Sequence, residues 1–324
     1  MAEAVLIVGQ GLAGTVLAWA LERAGITFVI VDGGQAPTAT AAAAGIINPI
    51  TGRRLVKSSQ IETLLPIARA FYQDLETALG VPLWREMRVR RLFADDHERT
   101  VFASKQARGE LAPFAAESDD SGFWIKDAAR VDLPALILAT RTHWRQSGHW
   151  RPQATESAFS LVIDCSGAAI TRRSEFGFVP WEFSRGEIIE VAVAGLSPDV
   201  VLNRRHWIVP LGTDTAWVGA THQPGLTTAD PSLAGRRELE RSARSMLGQR
   251  PFAVTGQRCG VRVNLPDKHP IAGPHPSVPR LGLVNGLGSK GVLWAPFLAQ
   301  QWVAYLLSDT PFVSKIAALR WAGP

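Results

Sequence analysis

Two glycine clusters carry the clearest chemical signal in this chain. The first reads Gly9-x-Gly11-x-x-Gly14 and is followed about 20 residues on by an acid, Asp32, at the end of an apolar run. Such spacing suits a dinucleotide. Gly9 makes the tight turn, Gly11 lets a pyrophosphate approach the backbone, and Gly14 lets a helix pack on a strand. Asp32 would accept hydrogen bonds from a ribose, which favours FAD or NAD over NADP. The second cluster, Gly286-Leu287-Gly288-Ser289-Lys290-Gly291, lies near the C-terminus with too little chain after it for another βαβ unit. It is expected to point a second helix N-terminus into the same cleft, and two helix dipoles on one ligand suit a flavin. A glycine turn in some other α/β protein is the competing reading of the first cluster.

These glycines need particular elements around them. Val5 to Val8 form a short apolar run that suits a buried strand, Leu17, Leu21 and Ala24 recur at helical spacing, and Thr27 to Val31 make a second strand. A small-residue run from Ala36 to Arg54 is broken by Gly45, which suggests close backbone access to a ligand. Ile61 to Leu79 reads as a long helix stopped by Gly80, and Asp132 caps a helix with Pro134 in its first turn. Leu161 to Asp164 is a third nucleotide-domain strand, followed by the compact turn Cys165-Ser166-Gly167-Ala168. Between these segments, EIIEVAVA, HWIVPL and AWVGATH alternate as antiparallel strands do, and a polar helix covers Ser232 to Leu247. The last strand, Leu281 to Val284, precedes an apolar helix from Gly291 to Leu307. The fold expected is α/β: a Rossmann-type nucleotide domain (1–80, 128–175 and 255–324) interleaved with an α+β substrate domain on a mostly antiparallel sheet (81–127 and 176–254).

With 324 residues and 46% hydrophobic content the chain can bury a substantial core, and its net charge of +5 comes without a block of like charges. That balance disfavours nucleic acid as a partner without excluding it. Cys165 and Cys259 have neither CxxC nor zinc spacing, so no metal is expected and a reducing cytoplasm is the default. The first strand starts too near Met1 for a signal peptide, and no apolar stretch reaches membrane-spanning length.

The ordered blocks VGQGLAG with Asp32, AAAAGIINP, IDCSGAA, SRGE, HWIVPLGTDTAWVGATH, GVRVNLPDKHPIAG and NGLGSKGVLWAP resemble the FAD-dependent amino acid oxidoreductases of the D-amino acid oxidase superfamily. The glycine oxidase and sarcosine oxidase branch is the most similar, and the last two blocks also look like the oxidase domain of the enzyme that matures the tRNA wobble uridine. The resemblance implies FAD held by Gly9, Gly11, Leu12, Ala13, Gly14, Asp32 and Gly33 at the ADP half. Thr40, Ala44 and Gly45 would lie against pyrophosphate and flavin, where Ala41 replaces a frequent Ser and removes one phosphate hydrogen bond. Ser166, Gly167, Gly286, Gly288, Ser289, Lys290 and Gly291 complete the implied cofactor set.

Four residues have implied roles in chemistry. Arg262 falls where the branch places an arginine for the substrate carboxylate, a task that suits a bidentate guanidinium; an inter-strand ion pair is the other reading. Lys290 would stabilise reduced flavin or help with oxygen, or be a solvated loop lysine. Trp207 takes the place of a pocket tyrosine and implies a more apolar preference, and His222 would act as acid or base or be structural. Cys259 is one place from the register of covalent flavin attachment, so non-covalent FAD is expected. The function implied is oxidation of the C–N bond of a small amino or N-substituted amino acid by hydride transfer to flavin N5, with oxygen or another acceptor reoxidising the flavin. The alternatives are a tRNA-modifying oxidoreductase acting on a carboxymethylaminomethyl uridine and a flavin-binding subunit without turnover. The segment near Gly148 to Ala158 is expected to be short relative to that family.

Overall fold

The computed structural model describes residues 4–34 and 37–322. Ala36, which opens the small-residue run, and the outermost residues of the two terminal segments lie outside the described residues. The chain opens with strand β1 (Val5–Val8), helix α1 (Leu12–Arg23) and strand β2 (Phe28–Val31), the unit the first glycine cluster requires. Next come the one-turn helix α2 (Ala39–Ala42), the short strand β3 (Ile46–Ile47) and helix α3 (Ile61–Leu79). α3 ends at Gly80, whose φ of 65° is the left-handed C-cap expected of a glycine.

Strands β4 (Trp84–Leu92) and β5 (Gly122–Val131) then lead into helix α4 (Leu133–Gln146), whose N-cap Asp132 accepts from the amide of Ala135 at 3.1 Å. The middle of the chain adds β6 (Trp150–Arg151), β7 (Leu161–Asp164), β8 (Glu182–Ala192), β9 (Val200–Asn203), β10 (Trp207–Pro210) and β11 (Thr215–Gly219). Helix α5 (Leu233–Leu247), strands β12 (Ala253–Asn264), β13 (Ile271–Pro274) and β14 (Leu281–Asn285), and helix α6 (Gly291–Ser308) complete it.

Two sheets result. The first has the order β13-β14-β7-β1-β2-β6 and is parallel except for β13. Its strands are continuous apolar runs because both faces are covered. Val5 and Ile7 enter the main core with α1, α4 and α6, while Leu6 and Val162 on the other face pack with Ile170, Phe176 and Val179. Leu17 and Leu21 of α1 are at most 1% exposed, a burial worth about 1.5–3 kcal/mol each.

The second sheet joins β8, β11, β10, β9, β4, β5 and β3 in that order, antiparallel at every pair but β9–β4. β12 adds to it along almost the full length of β8, from Glu182↔Asn264 to Ala192↔Ala253. This pairing bears on where the two units divide. A boundary at 255 would cut β12, which belongs to the second sheet, and one at 127/128 would cut β5. The physical reason is that a strand cannot leave its ladder partway without orphaning backbone donors.

Candidate active site

A cleft of about 1070 Å³ runs between the two sheets. One end lies at the C-terminal ends of β1, β2 and β7, the position where ligands of open α/β sheets bind. Gly9, Gly11, Leu12 and Ala13 line it, and Asp32 and Gly33 lie beyond them. The glycine spacing has a direct steric cause. A Cβ on Gly14 would stand 1.9 Å from the carbonyl oxygen of Gly9, so helix and strand could not meet. A Cβ on Gly11 would stand 3.2 Å from Thr40 Oγ1, which accepts from the amide of Leu12 at 3.0 Å.

The remaining wall brings most of the expected cofactor residues together. Thr40, Ala44 and Gly45 line the middle of the cleft, Ser166 and Gly167 one side, and Gly288, Ser289 and Gly291 the start of α6. Two helix N-termini, those of α1 and α6, therefore open into one cavity, each with first-turn N–H groups that lack intrahelical acceptors. Gly14 and Gly286 do not line it; Gly14 serves packing, and Gly286 has φ of 69° with Leu265 against it. The cleft suits FAD on these grounds: an acid at the ribose end, a cradle of glycines and small side chains in the middle, and a second helix end beyond it.

Sequence reading missed the partners that set this half. Arg141 donates to Asp32 Oδ2 at 2.6 Å and to Gln10 Oε1 at 2.7 Å, fixing the acid through a residue 109 positions away. Asp164, 2% exposed, accepts from the amide and hydroxyl of Ser166 at 2.9 and 2.6 Å and from Arg173 at 3.0 Å, which holds the Cys165–Gly167 turn in shape. Its place directly before that turn was the one available signal.

At the other end Arg262, on β12, and Trp207, on β10, line the cleft with Phe183, Ile188, Ala220, Val261 and Val263. Trp207 is half-buried, and its ring packs so closely on Gly219 that a Cβ there would stand 2.8 Å from the ring. Among the described residues Arg262 has no carboxylate within ion-pair distance; it donates to the carbonyl of Thr221 at 3.3 Å. Burial depresses its pKa, the signature of a cation held away from water without a counter-ion. Its guanidinium lies flat on Gly186, where a Cβ would be 2.2 Å from Nη2. Among the described residues Arg262 makes no inter-strand ion pair.

Lys290 and His222 are placed differently from what the sequence implied. Neither lines the cleft. Lys290 occupies the N-cap position of α6, half-buried, with burial lowering its pKa. His222 is exposed beside the mouth, and its pKa is lowered by burial first and then by the charges of Arg262 and Lys268. A loop position near a cleft does not fix where a side chain goes. Cys165 and Cys259 are both free and buried. Among the described residues, no helix is long and apolar enough to cross a membrane and no cluster of acids, histidines and cysteines could hold a metal.

Residues 4–306 match the family described as DAO, FAD dependent oxidoreductase. The chain is 27% identical to the tRNA 5-methylaminomethyl-2-thiouridine biosynthesis bifunctional protein of Maricaulis maris over 96% of its own length, but spans about half, 53%, of that protein. It is 24% identical to glycine oxidase of Bacillus licheniformis, with 97% of this chain and 96% of that one aligned. Among solved structures, iminodiacetate oxidase from Chelativorans sp. BNC1 superposes with a TM-score of 0.78 at 19% identity, over 96% of this chain and 98% of that one.

Proposed function

Because the chain belongs to the DAO family of FAD-dependent oxidoreductases, we propose that it oxidises the C–N bond of a small amino acid or N-substituted amino acid, with Arg262 as carboxylate anchor. The observation that carries this reading is the half-buried guanidinium of Arg262, which lines the cleft with no carboxylate partner among the described residues. Partial desolvation of an unpaired cation is unfavourable, and a ligand carboxylate is the group that would compensate it.

FAD would be held by Gly9, Gly11, Leu12, Ala13 and Thr40 at its pyrophosphate and by Asp32 at its ribose, Asp32 Oδ1 being the oxygen that Arg141 leaves unengaged. Bound there, it supplies the two-electron acceptor that takes a hydride from the carbon next to nitrogen. The chain's own part is orientation. Arg262 fixes the carboxylate, and Trp207, Phe183 and Ile188 form apolar walls that keep water from the reacting carbon. Asp32 and Asp164 are the only carboxylates lining the cleft among the described residues, and both belong to the ribose end. No carboxylate base therefore lines the cleft beside Arg262 among the described residues, and none is needed for a substrate amine that binds neutral.

The Maricaulis relative favours a second reading, in which the same arginine takes the carboxymethyl group of a modified tRNA base. Electron acceptors in either case are oxygen or another oxidant. An anaerobic panel decides: glycine, N-methylglycine and iminodiacetate are expected to bleach the flavin, and Arg262→Ala to weaken their binding by at least tenfold. Equal bleaching by amines that lack a carboxylate would overturn the anchor, and bleaching by carboxymethylaminomethyl-modified tRNA alone would favour the second reading.

A further inference from the structure

The SRGE block, Ser184 to Glu187, is more than strand filler. Glu187 is 0% exposed, and three donors converge on its carboxylate: the amide and hydroxyl of Ser232 at 2.8 and 2.7 Å and Gln257 Nε2 at 2.6 Å. Its main chain holds a second residue. Glu187 N donates to Thr221 Oγ1 at 2.9 Å, and Thr221 N donates to the carbonyl of Glu187 at 3.1 Å. Thr221 is the residue whose carbonyl accepts from Arg262.

One residue thus fastens both ends of the segment from 221 to 232. Between those ends the segment is tied again: Arg185 donates to Gln223 Oε1 at 2.6 Å and to the carbonyl of Asp230 at 3.0 Å, and Gly225 N donates to the carbonyl of Phe183 at 2.9 Å. Thr227 and Ala229 of this segment line the cleft, and Leu226 is 40% exposed at its outer edge. Gly235, in the first turn of α5, exists for the same contact, since a Cβ there would stand 2.5 Å from Glu187 Oε1.

We propose that Glu187 is a positioning residue: its carboxylate ties the Ser232 end, and its main chain the Thr221 end, of the segment 221–232, a strap across the substrate end of the cleft that aims Arg262 through the Thr221 carbonyl. The proposal rests on Arg262 as carboxylate anchor. A carboxylate suits this position because the Ser232 amide and Gln257 Nε2, both on Oε2, can only donate and Arg185 Nη2 stands 3.6 Å from Oε1. None of the residues named for the ADP half belongs to the strap, so its loosening is expected to leave FAD bound.

The test titrates acetate into FAD-loaded protein, following the flavin spectrum, for Glu187→Gln, Ser232→Ala, Arg262→Ala and the double variant Glu187→Gln/Arg262→Ala. Glu187→Gln is expected to raise the acetate Kd about tenfold and Ser232→Ala about threefold, with FAD retained and chymotryptic cleavage at Leu226 accelerated. On the Arg262→Ala background Glu187→Gln should change the acetate Kd by less than twofold, which a merely structural role would not produce. Should Glu187→Gln fail to fold, Ser232→Ala carries the same measurement. If Arg262→Ala weakens acetate but neither strap variant does, or if the two effects multiply, the strap assignment is wrong while the anchor stands. If Arg262→Ala leaves the Kd unchanged, or wild type does not bind acetate, the anchor is wrong and the aiming role falls with it.

Discussion

Gly186→Ala gives the sharpest perturbation of the substrate end. The added Cβ would lie 2.2, 2.3 and 2.4 Å from Nη2, Nη1 and Cζ of Arg262, where ordinary contact needs about 3.4 Å or more. The guanidinium must therefore retreat by about 1 Å. It is the far end of a flexible side chain, and Gly186 does not have the positive φ that would strain an alanine. The fold gains roughly 0.5–1 kcal/mol from replacing a strand glycine and loses roughly 0.5–1.5 kcal/mol to a displaced rotamer, so stability should change little. Binding is another matter. A charge-assisted hydrogen bond contributes about 1.5–3 kcal/mol, and losing one of two from a bidentate pair corresponds to roughly 10- to 100-fold in Kd. The assay is acetate titration of FAD-loaded Gly186→Ala beside its unfolding curve and FAD content. An acetate Kd within twofold of wild type would refute the placement of the guanidinium. So would FAD loss together with a stability drop above about 2 kcal/mol, because it would mean that Gly186 serves the fold instead.

Three further expectations follow from the same geometry. Arg262→Met should leave ligand-free stability within about 1 kcal/mol of wild type, since no carboxylate loses its partner; a loss of roughly 3–5 kcal/mol in urea unfolding would reveal an ion pair. Glu98→Gln, by contrast, breaks the buried pair with Arg91, whose members are 2% and 4% exposed. It should lose about 3–5 kcal/mol in the same assay without changing acetate affinity of the folded protein. The pKa of His222 lies below its usual 6.5 because of burial and the Arg262 charge, so the folded protein resists protonating it. Stability is then unaffected above pH 6.5 and declines as the pH falls through that value, where the unfolded chain gains a proton and the folded one does not. A carboxylate on Arg262 relieves that charge, so acetate should bind independently of pH above about 7 and more tightly towards about 5.5, a rise that His222→Asn abolishes. Weaker binding at the lower pH would contradict the sign.

The nucleotide half was legible because its determinants are local. Gly9, Gly11, Gly14 and Asp32 fall within one strand–helix–strand unit, and apolar run length marked Leu161–Asp164 and the C-terminal helix to within a residue or two of their ends. What could not be read were groups that meet through sheet pairing. Gly186 and Arg262 are brought together by the register Gly186↔Gly260 of β8 and β12, and nothing in either segment alone announces the other. Arg141 reaches Asp32 from the helix that Asp132 caps, 109 residues further along the chain. For the same reason the continuity of β12 across residue 255 could not be read from its own residues.

This division has a consequence for how such a site changes its substrate. The FAD half is fixed by glycines whose added Cβ atoms would collide with backbone, as Gly14 would with Gly9, so it tolerates little variation. The substrate half rests on side chains, with Arg262, Trp207, Phe183 and Ile188 as separate contributors from three strands. Each can be exchanged without disturbing the ladder that carries it. Replacing Arg262 would remove the selection for a carboxylate, and replacing Trp207 would enlarge the wall opposite, while hydride transfer would still be governed by the orientation that the FAD half supplies. On the proposed reading, selectivity for the acid group is concentrated in one guanidinium and in the glycine and strap that aim it. A chain with Arg262 and a Cβ at position 186 would keep the charge but lose its aim.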